Sequence, residues 1–141
     1  MKASFIIPTF KEPQQIKKLI SSFLNIKSNQ IEILIVNSNP NDETSSFLST
    51  CGDSRVNELE GTPSLYWSGA INIGLNYVLN YSNKPDYVFI MNADVEFTDD
   101  ILNIFLQKAN GMAKFQFAAV TVSENTIVSS GASVSSWFFT K

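Results

Sequence analysis

Histidine is absent from this chain, and cysteine occurs once, at Cys51. Without an imidazole there is no Ser-His-Asp or Cys-His catalysis, no His-ligated zinc and no His proton shuttle within the chain. A lone thiol builds neither a disulfide framework nor a Cys-type zinc site, so Cys51 is expected as a buried thiol in a reducing compartment. Long apolar runs are missing as well. Phe5-Ile6-Ile7 near the start is broken by Pro8 and falls far short of a signal-peptide core. No segment approaches the roughly 20 apolar residues that cross a bilayer. The expected location is the cytoplasm, at most peripheral to the inner face of a membrane. Clustered positive charge is lacking too: 10 Lys and Arg are scattered among 13 Asp and Glu, for a net charge of −3. Nucleic acid calls for a basic face, so it is not an expected partner. A small anionic ligand stays open if local amides and a metal bind it.

What is present is an ordinary globular composition. With 141 residues, 44% hydrophobic and 16% charged, the chain is long enough for one domain with a real core and too apolar for disorder. Strand and helix patterns alternate along it. Ser4 to Pro8 is a short apolar strand, with the proline expected to stop pairing because it lacks a ladder donor. Pro13 suits a first helical turn, and Ile16, Leu19, Ile20, Phe23 and Leu24 follow at helical spacing. Ile31 to Val36 is a second buried strand. A turn cluster, Asn37 to Asp42, leads into a short helix through Phe47 and Leu48 that Asp42 or Thr44 can cap. Arg55 to Leu59 is a weaker third strand. After the loop Gly61-Thr-Pro63 comes a helix whose face carries Ala70, Ile71, Gly74, Leu75, Val78 and Leu79. A fully buried strand over Tyr87 to Met91 is followed by a helix marked by Ile101, Leu102, Phe105 and Leu106, ending near Gly111. Ala118 to Val122 and Thr126 to Ser129 close the series as short strands. This order predicts an α/β fold, a mostly parallel sheet with helices on both faces.

The strongest local signal is Asp86-Tyr-Val-Phe-Ile-Met-Asn-Ala-Asp-Val-Glu-Phe97. An apolar strand stops abruptly at Asn92, Asp94 and Glu96. Open α/β sheets bind ligands at the carboxyl ends of their strands, and carboxylates there can hold a hard divalent cation that in turn holds a diphosphate. The plainer reading has Asp94 only closing a turn and feeding a helix.

Three nucleotide-binding schemes fail on the residues. A dinucleotide fold needs Gly-x-Gly-x-x-Gly after the first strand, where this chain has Pro8-Thr-Phe-Lys-Glu-Pro13 without a glycine. Gly69-Ala-Ile-Asn-Ile-Gly74 has P-loop glycine spacing, but Leu75 and Asn76 follow it instead of Lys and Ser or Thr. The glycine-rich loop of sugar-nucleotide pyrophosphorylases is missing from the same place.

The chain resembles the inverting glycosyltransferases of family 2, which have the GT-A fold. Ala3 to Phe10 looks like the family's opening strand, an apolar run ending in Pro-Thr-Tyr. Ile33 to Thr44 resembles its second strand and turn. Tyr66-Trp-Ser-Gly-Ala-Ile-Asn-Ile-Gly-Leu75 is similar to its Gly- and Asn-bearing helix start. Met91-Asn-Ala-Asp-Val-Glu-Phe97 looks like the metal-binding element, in the Asn-x-Asp-Val form of rhamnosyltransferase-like branches.

The resemblance implies a nucleotide-diphosphate sugar donor of UDP or dTDP type, a glycan or lipid-linked acceptor, and a role in polysaccharide biosynthesis. It places Pro8, Thr9, Phe10 and Glu12 around the nucleoside. Asn37 takes the place of an aspartate that contacts the base, with a turn role as the competing reading. Gly69, Asn72 and Gly74 fall where the family's helix meets the nucleotide, Gly69 allowing close backbone approach. Asn92 stands where a first aspartate often contacts ribose. Asp94 corresponds to the ligand of a divalent metal, Mg or Mn, with Glu96 a weaker candidate behind it. Trp67 is expected in the core.

The resemblance fades after Val122, before the half that supplies the base for the acceptor hydroxyl. No carboxylate lies beyond Glu124, so residues 1–141 are expected to form a single donor-binding domain with the acceptor half missing. The competing expectation is a non-catalytic nucleotide- or partner-binding module of the same fold. The apolar end, Trp137-Phe138-Phe139, is expected to drive self-association into a homo-oligomer.

Overall fold

The computed structural model describes residues 2–26, 30–80, 84–95, 99–109, 121–123 and 126–129. Its contacts divide into two units, residues 1–103 and 104–141.

The first unit is built on four parallel strands in the order β3-β2-β1-β4, with β1 Ala3–Thr9, β2 Ile31–Asn37, β3 Val56–Glu60 and β4 Tyr87–Ile90. Every residue of β1 and β2 is buried, as continuous apolar strands covered on both faces must be. Alternate residues serve opposite layers. Helix α1, Pro13–Leu24, buries Ile16, Leu19, Ile20 and Phe23. Phe23 meets Phe5 edge-on with ring centroids 4.9 Å apart, and Phe5 stacks on Phe89 at 4.6 Å. On the opposite face, Ile6, Leu34 and Val36 pack against Ala70, Ile71 and Val78 of helix α3, Tyr66–Leu79. The expected parallel sheet between two helical layers is therefore present. A short helix α2, Glu43–Leu48, precedes β3 and is capped by Asp42, whose carboxylate accepts from the N–H groups of Thr44 and Ser45.

Several local expectations are corrected. Pro8 does not stop pairing: β1 continues alongside β2 to Thr9↔Asn37. In a parallel ladder successive residues aim their polar groups at alternate neighbours. Ala3 N–H donates to Gln30 on the β2 side, whereas Ile6 C=O accepts from Met91 on the β4 side. Pro8 shares the parity of Ile6 and faces β4, whose register ends at Ile6↔Ile90. The missing donor thus ends only the pairing with β4. That strand in turn is not fully buried, since Val88 is 40% and Ile90 46% exposed. Both lie on the face that α3 covers over β1 and β2. Leu79 at the end of α3 is exposed and Cys51 only half-buried.

Helix α4 spans Asp99–Ala109. In the second unit, β5 Thr121–Ser123 and β6 Thr126–Ser129 pair antiparallel as a separate two-stranded sheet. Glu96, Gly111, Glu124 and the Trp137-Phe138-Phe139 segment lie outside the described residues.

Candidate functional site

The strand order reverses at β1. The chain moves from β1 outward to β2 and β3, then returns to place β4 on the other side of β1. In open α/β sheets this reversal opens a crevice at the carboxyl ends of the two strands that flank it, and ligands bind there. Here those ends carry Thr9 and Phe10 after β1, and Asn92 and Asp94 after β4.

On the β1 side, Pro8 and Thr9 are buried and Phe10 is exposed. The hydroxyl of Thr9 is buried with no hydrogen-bond partner among the described residues. Its backbone C=O is held by the N–H of Ser38 at 3.0 Å. Lys11 takes a left-handed φ of 57° and sets its ammonium 5.2 Å from the centroid of the Phe10 ring, a cation–π contact that keeps the ring at the surface. Glu12, half-buried, forms the N-cap of α1 without a side-chain hydrogen bond to the helix.

On the β4 side the N–H of Met91 donates to Ile6 at 3.1 Å, the last rung before the turn. Asn92 and Asp94 are exposed on either side of the buried Ala93. Asp94 makes no hydrogen bond or ion pair among the described residues, so its carboxylate is available to a ligand. Asn92 accepts a 2.8 Å hydrogen bond from the indole Nε1 of Trp67. Trp67 is therefore not core: it is 53% exposed and stands at the start of α3 beside the β4 turn. Tyr66 before it has φ 50° and ψ −169° at the junction of a single 3₁₀ turn, Pro63–Leu65, with α3. Such backbone costs about 1–3 kcal/mol for a non-glycine residue and clusters at functional sites.

The remaining candidates are placed differently. Asn72 is exposed about 7.5 Å further along the axis of α3 than Trp67, at 1.5 Å per residue. At Gly69 a β-carbon would come within 2.9 Å of the Leu65 side chain, and at Gly74 it would collide with Ile6. Both glycines thus have packing reasons of their own. Asn37 is fully buried. Its Nδ2 donates to Glu58 at 2.9 Å and to Asp42 and Ser45 at 3.2 Å, and its Oδ1 accepts from Asn39 N–H. Both ends of this amide are engaged in holding the turn after β2. Burial pushes the Asp42 carboxyl up, but hydrogen bonds from Asn37, Asn39 and the N–H groups of Thr44 and Ser45 outweigh it and hold it below 3.8.

The sequence model of glycosyl transferase family 2 matches residues 4–129. The chain belongs to this family. It is 27% identical over 131 residues to a galactofuranosyl glycosyltransferase of Leishmania donovani, covering 87% of this chain and 30% of that protein. The chain thus spans less than a third of that relative's length. Members of family 2 generally use a divalent metal. Among the described residues no three His, Cys, Asp or Glu side chains converge as a metal cage. An exposed, unpartnered Asp94 suits a hard cation of the Mg type, which takes one or two carboxylates and fills its remaining positions with water and phosphate oxygens. No described helix is long and apolar enough to cross a membrane.

Proposed function

We propose that this chain is the donor-binding portion of a family 2 glycosyltransferase, taking a nucleotide-diphosphate sugar of UDP or dTDP type at the β1/β4 crevice. The observation that carries the proposal is the exposed, unpartnered carboxylate of Asp94 at the carboxyl end of β4, beside the strand-order reversal. Phe10 offers the nucleoside an apolar wall and Glu12 polar atoms for base or ribose, while Thr9, its hydroxyl buried, underlies the nucleoside pocket. Asp94 would be the residue that holds a divalent ion there. That ion, when bound, neutralises charge on the departing nucleotide, which is Lewis-acid catalysis. In the transfer, the anomeric C–O bond to the nucleoside diphosphate would break as one to a glycan or lipid-linked hydroxyl forms with inversion, the nucleoside diphosphate leaving and the hydroxyl proton going to a base of the acceptor half. The Asn-x-Asp-Val form supports a rhamnosyl donor, and the relative's name a galactofuranosyl one.

Calorimetric titration of UDP and dTDP into the chain, with and without Mn²⁺, tests this reading. Metal-dependent binding that Asp94→Ala abolishes supports it. Absence of binding by either nucleotide to folded protein overturns it.

A further inference from the structure

Trp67 and Asn92 are 25 residues apart in sequence and joined by a single 2.8 Å hydrogen bond at the edge of the crevice. The chemistry of the pair settles which way the amide points. An indole N–H donates and has no acceptor, so it can only meet the carbonyl oxygen of Asn92. With Oδ1 turned toward Trp67, the Nδ2 group turns away from it. Asn92 is exposed and makes no second hydrogen bond among the described residues, so both N–H donors of that group remain unengaged at the mouth of the β1/β4 crevice.

A second observation bears on the same pair. Trp67 follows the left-handed Tyr66, at the junction where the 3₁₀ turn gives way to α3. The exposed indole is thus delivered to the β4 turn by a backbone kink, not by burial of its ring.

We propose that Trp67 is a positioning residue: it locks the Asn92 amide with its donors outward, so that Asn92 donates to an oxygen of the nucleotide, on ribose or diphosphate, and does not ligate the metal. This inference rests on the nucleotide reading of the crevice. The resemblance already sets Asp94 toward the cation and Asn92 toward the nucleotide; what Trp67 adds is the orientation of the Asn92 amide. An aspartate at position 92 would still accept from Trp67 but would have nothing to donate.

That difference provides the test. The full chain is compared as wild type, Trp67→Phe, Asn92→Asp and Asn92→Ala, with UDP titrated in EDTA and in Mn²⁺. Separately, the indole N–H of Trp67 is followed by ¹⁵N–¹H NMR, its resonance assigned by its loss in Trp67→Phe. In wild type the indole N–H is expected to be protected from exchange, in Asn92→Ala to lose that protection, and in Asn92→Asp to keep it. UDP binding in EDTA should weaken about tenfold in both Asn92 variants and in Trp67→Phe, the scale of one hydrogen bond to a charged group. Asn92→Asp should recover binding in Mn²⁺, where a second carboxylate beside Asp94 can share the ion.

A purely structural Trp67–Asn92 contact gives a different result. The neutral variants Asn92→Ala and Trp67→Phe would then bind UDP as folded wild type does, and the proposal falls. It falls equally if the indole N–H of wild type exchanges as fast as in Asn92→Ala. A folded wild type with a protected indole that binds no UDP overturns the nucleotide reading itself, and with it the donor role of Asn92. The hydrogen bond would then stand as structure alone.

Discussion

The side-chain amide of Asn37 donates to the carboxylate of Glu58 across 2.9 Å, tying β2 to β3 at the carboxyl end of the sheet. The same nitrogen lies 3.2 Å from a carboxylate oxygen of Asp42. Two carboxylates thus converge on one fully buried donor. The aspartate usual in the family at this place would put a third carboxylate among them. Asn37→Asp should therefore lower stability at neutral pH by roughly 3–5 kcal/mol, the scale of an uncompensated buried charge. The loss should shrink in acid, where protonation of one carboxyl restores a donor. Urea unfolding with Asn37→Asp alone and combined with Glu58→Gln checks this, because the added amide should recover much of the loss.

Gly74 sits where α3 comes down on β1, with no room for a β-carbon beside Ile6. Gly74→Ala should destabilise by about 1–3 kcal/mol through overpacking, despite the better helix propensity of alanine. Ile6→Ala removes the γ2 methyl that the added β-carbon meets, so the double variant should lose less than the sum of the two single losses. Thermal unfolding of the two single variants and the double variant measures the coupling.

Asp94 makes no hydrogen bond or ion pair among the described residues, so its role and its structural weight separate. Asp94→Asn should leave stability within about 0.5 kcal/mol of wild type. Its Mn²⁺-dependent gain in UDP affinity should disappear. Paired denaturation and calorimetry on one preparation check both halves of the expectation.

The Arg55 guanidinium beside Asp53, 2.6 Å away, holds the Asp53 carboxyl below its usual 3.8. It also donates to the carbonyl oxygens of Phe23 and Ile26, fastening the end of α1. Because the folded-state pKa is depressed, this carboxylate's contribution is complete above the ordinary value of 3.8. It is lost as pH falls through the lower, folded-state value. Stability against pH should show this acid limb in wild type and a flatter one in Asp53→Asn.

Much of the architecture was legible because burial on both faces forces continuous apolar strands, and Ile31–Asn37 shows it plainly. The turn that carries Asn92 and Asp94 after β4 was legible because polar residues interrupt such a run abruptly. Trp67 was not. A tryptophan at helical spacing looks like core, and nothing local reveals a hydrogen-bond partner on another element. Asn37 carried two readings, base contact and turn, and side chains from the α2 cap, α2 itself and β3 engage its amide in the turn. Pro8 shows the limit of residue rules in sheets. Its effect depends on which neighbour its nitrogen faces, a property of strand order and not of composition.

The strand order also predicts a sequence of assembly. β1, β2 and β3 arrive within the first 60 residues and can pair with each other through short loops. β4 must find β1 across more than 80 residues, as the bond from the Lys2 N–H to the Asp86 carboxylate shows. Closing that long loop carries the greater entropic cost and is delayed for that reason. The rung from Met91 to Ile6 is what brings Asn92 and Asp94 to the mouth of the crevice. Partly folded forms with an unpaired β4 therefore lack the candidate site, and any binding there is expected only once the most distant pairing of the sheet has formed.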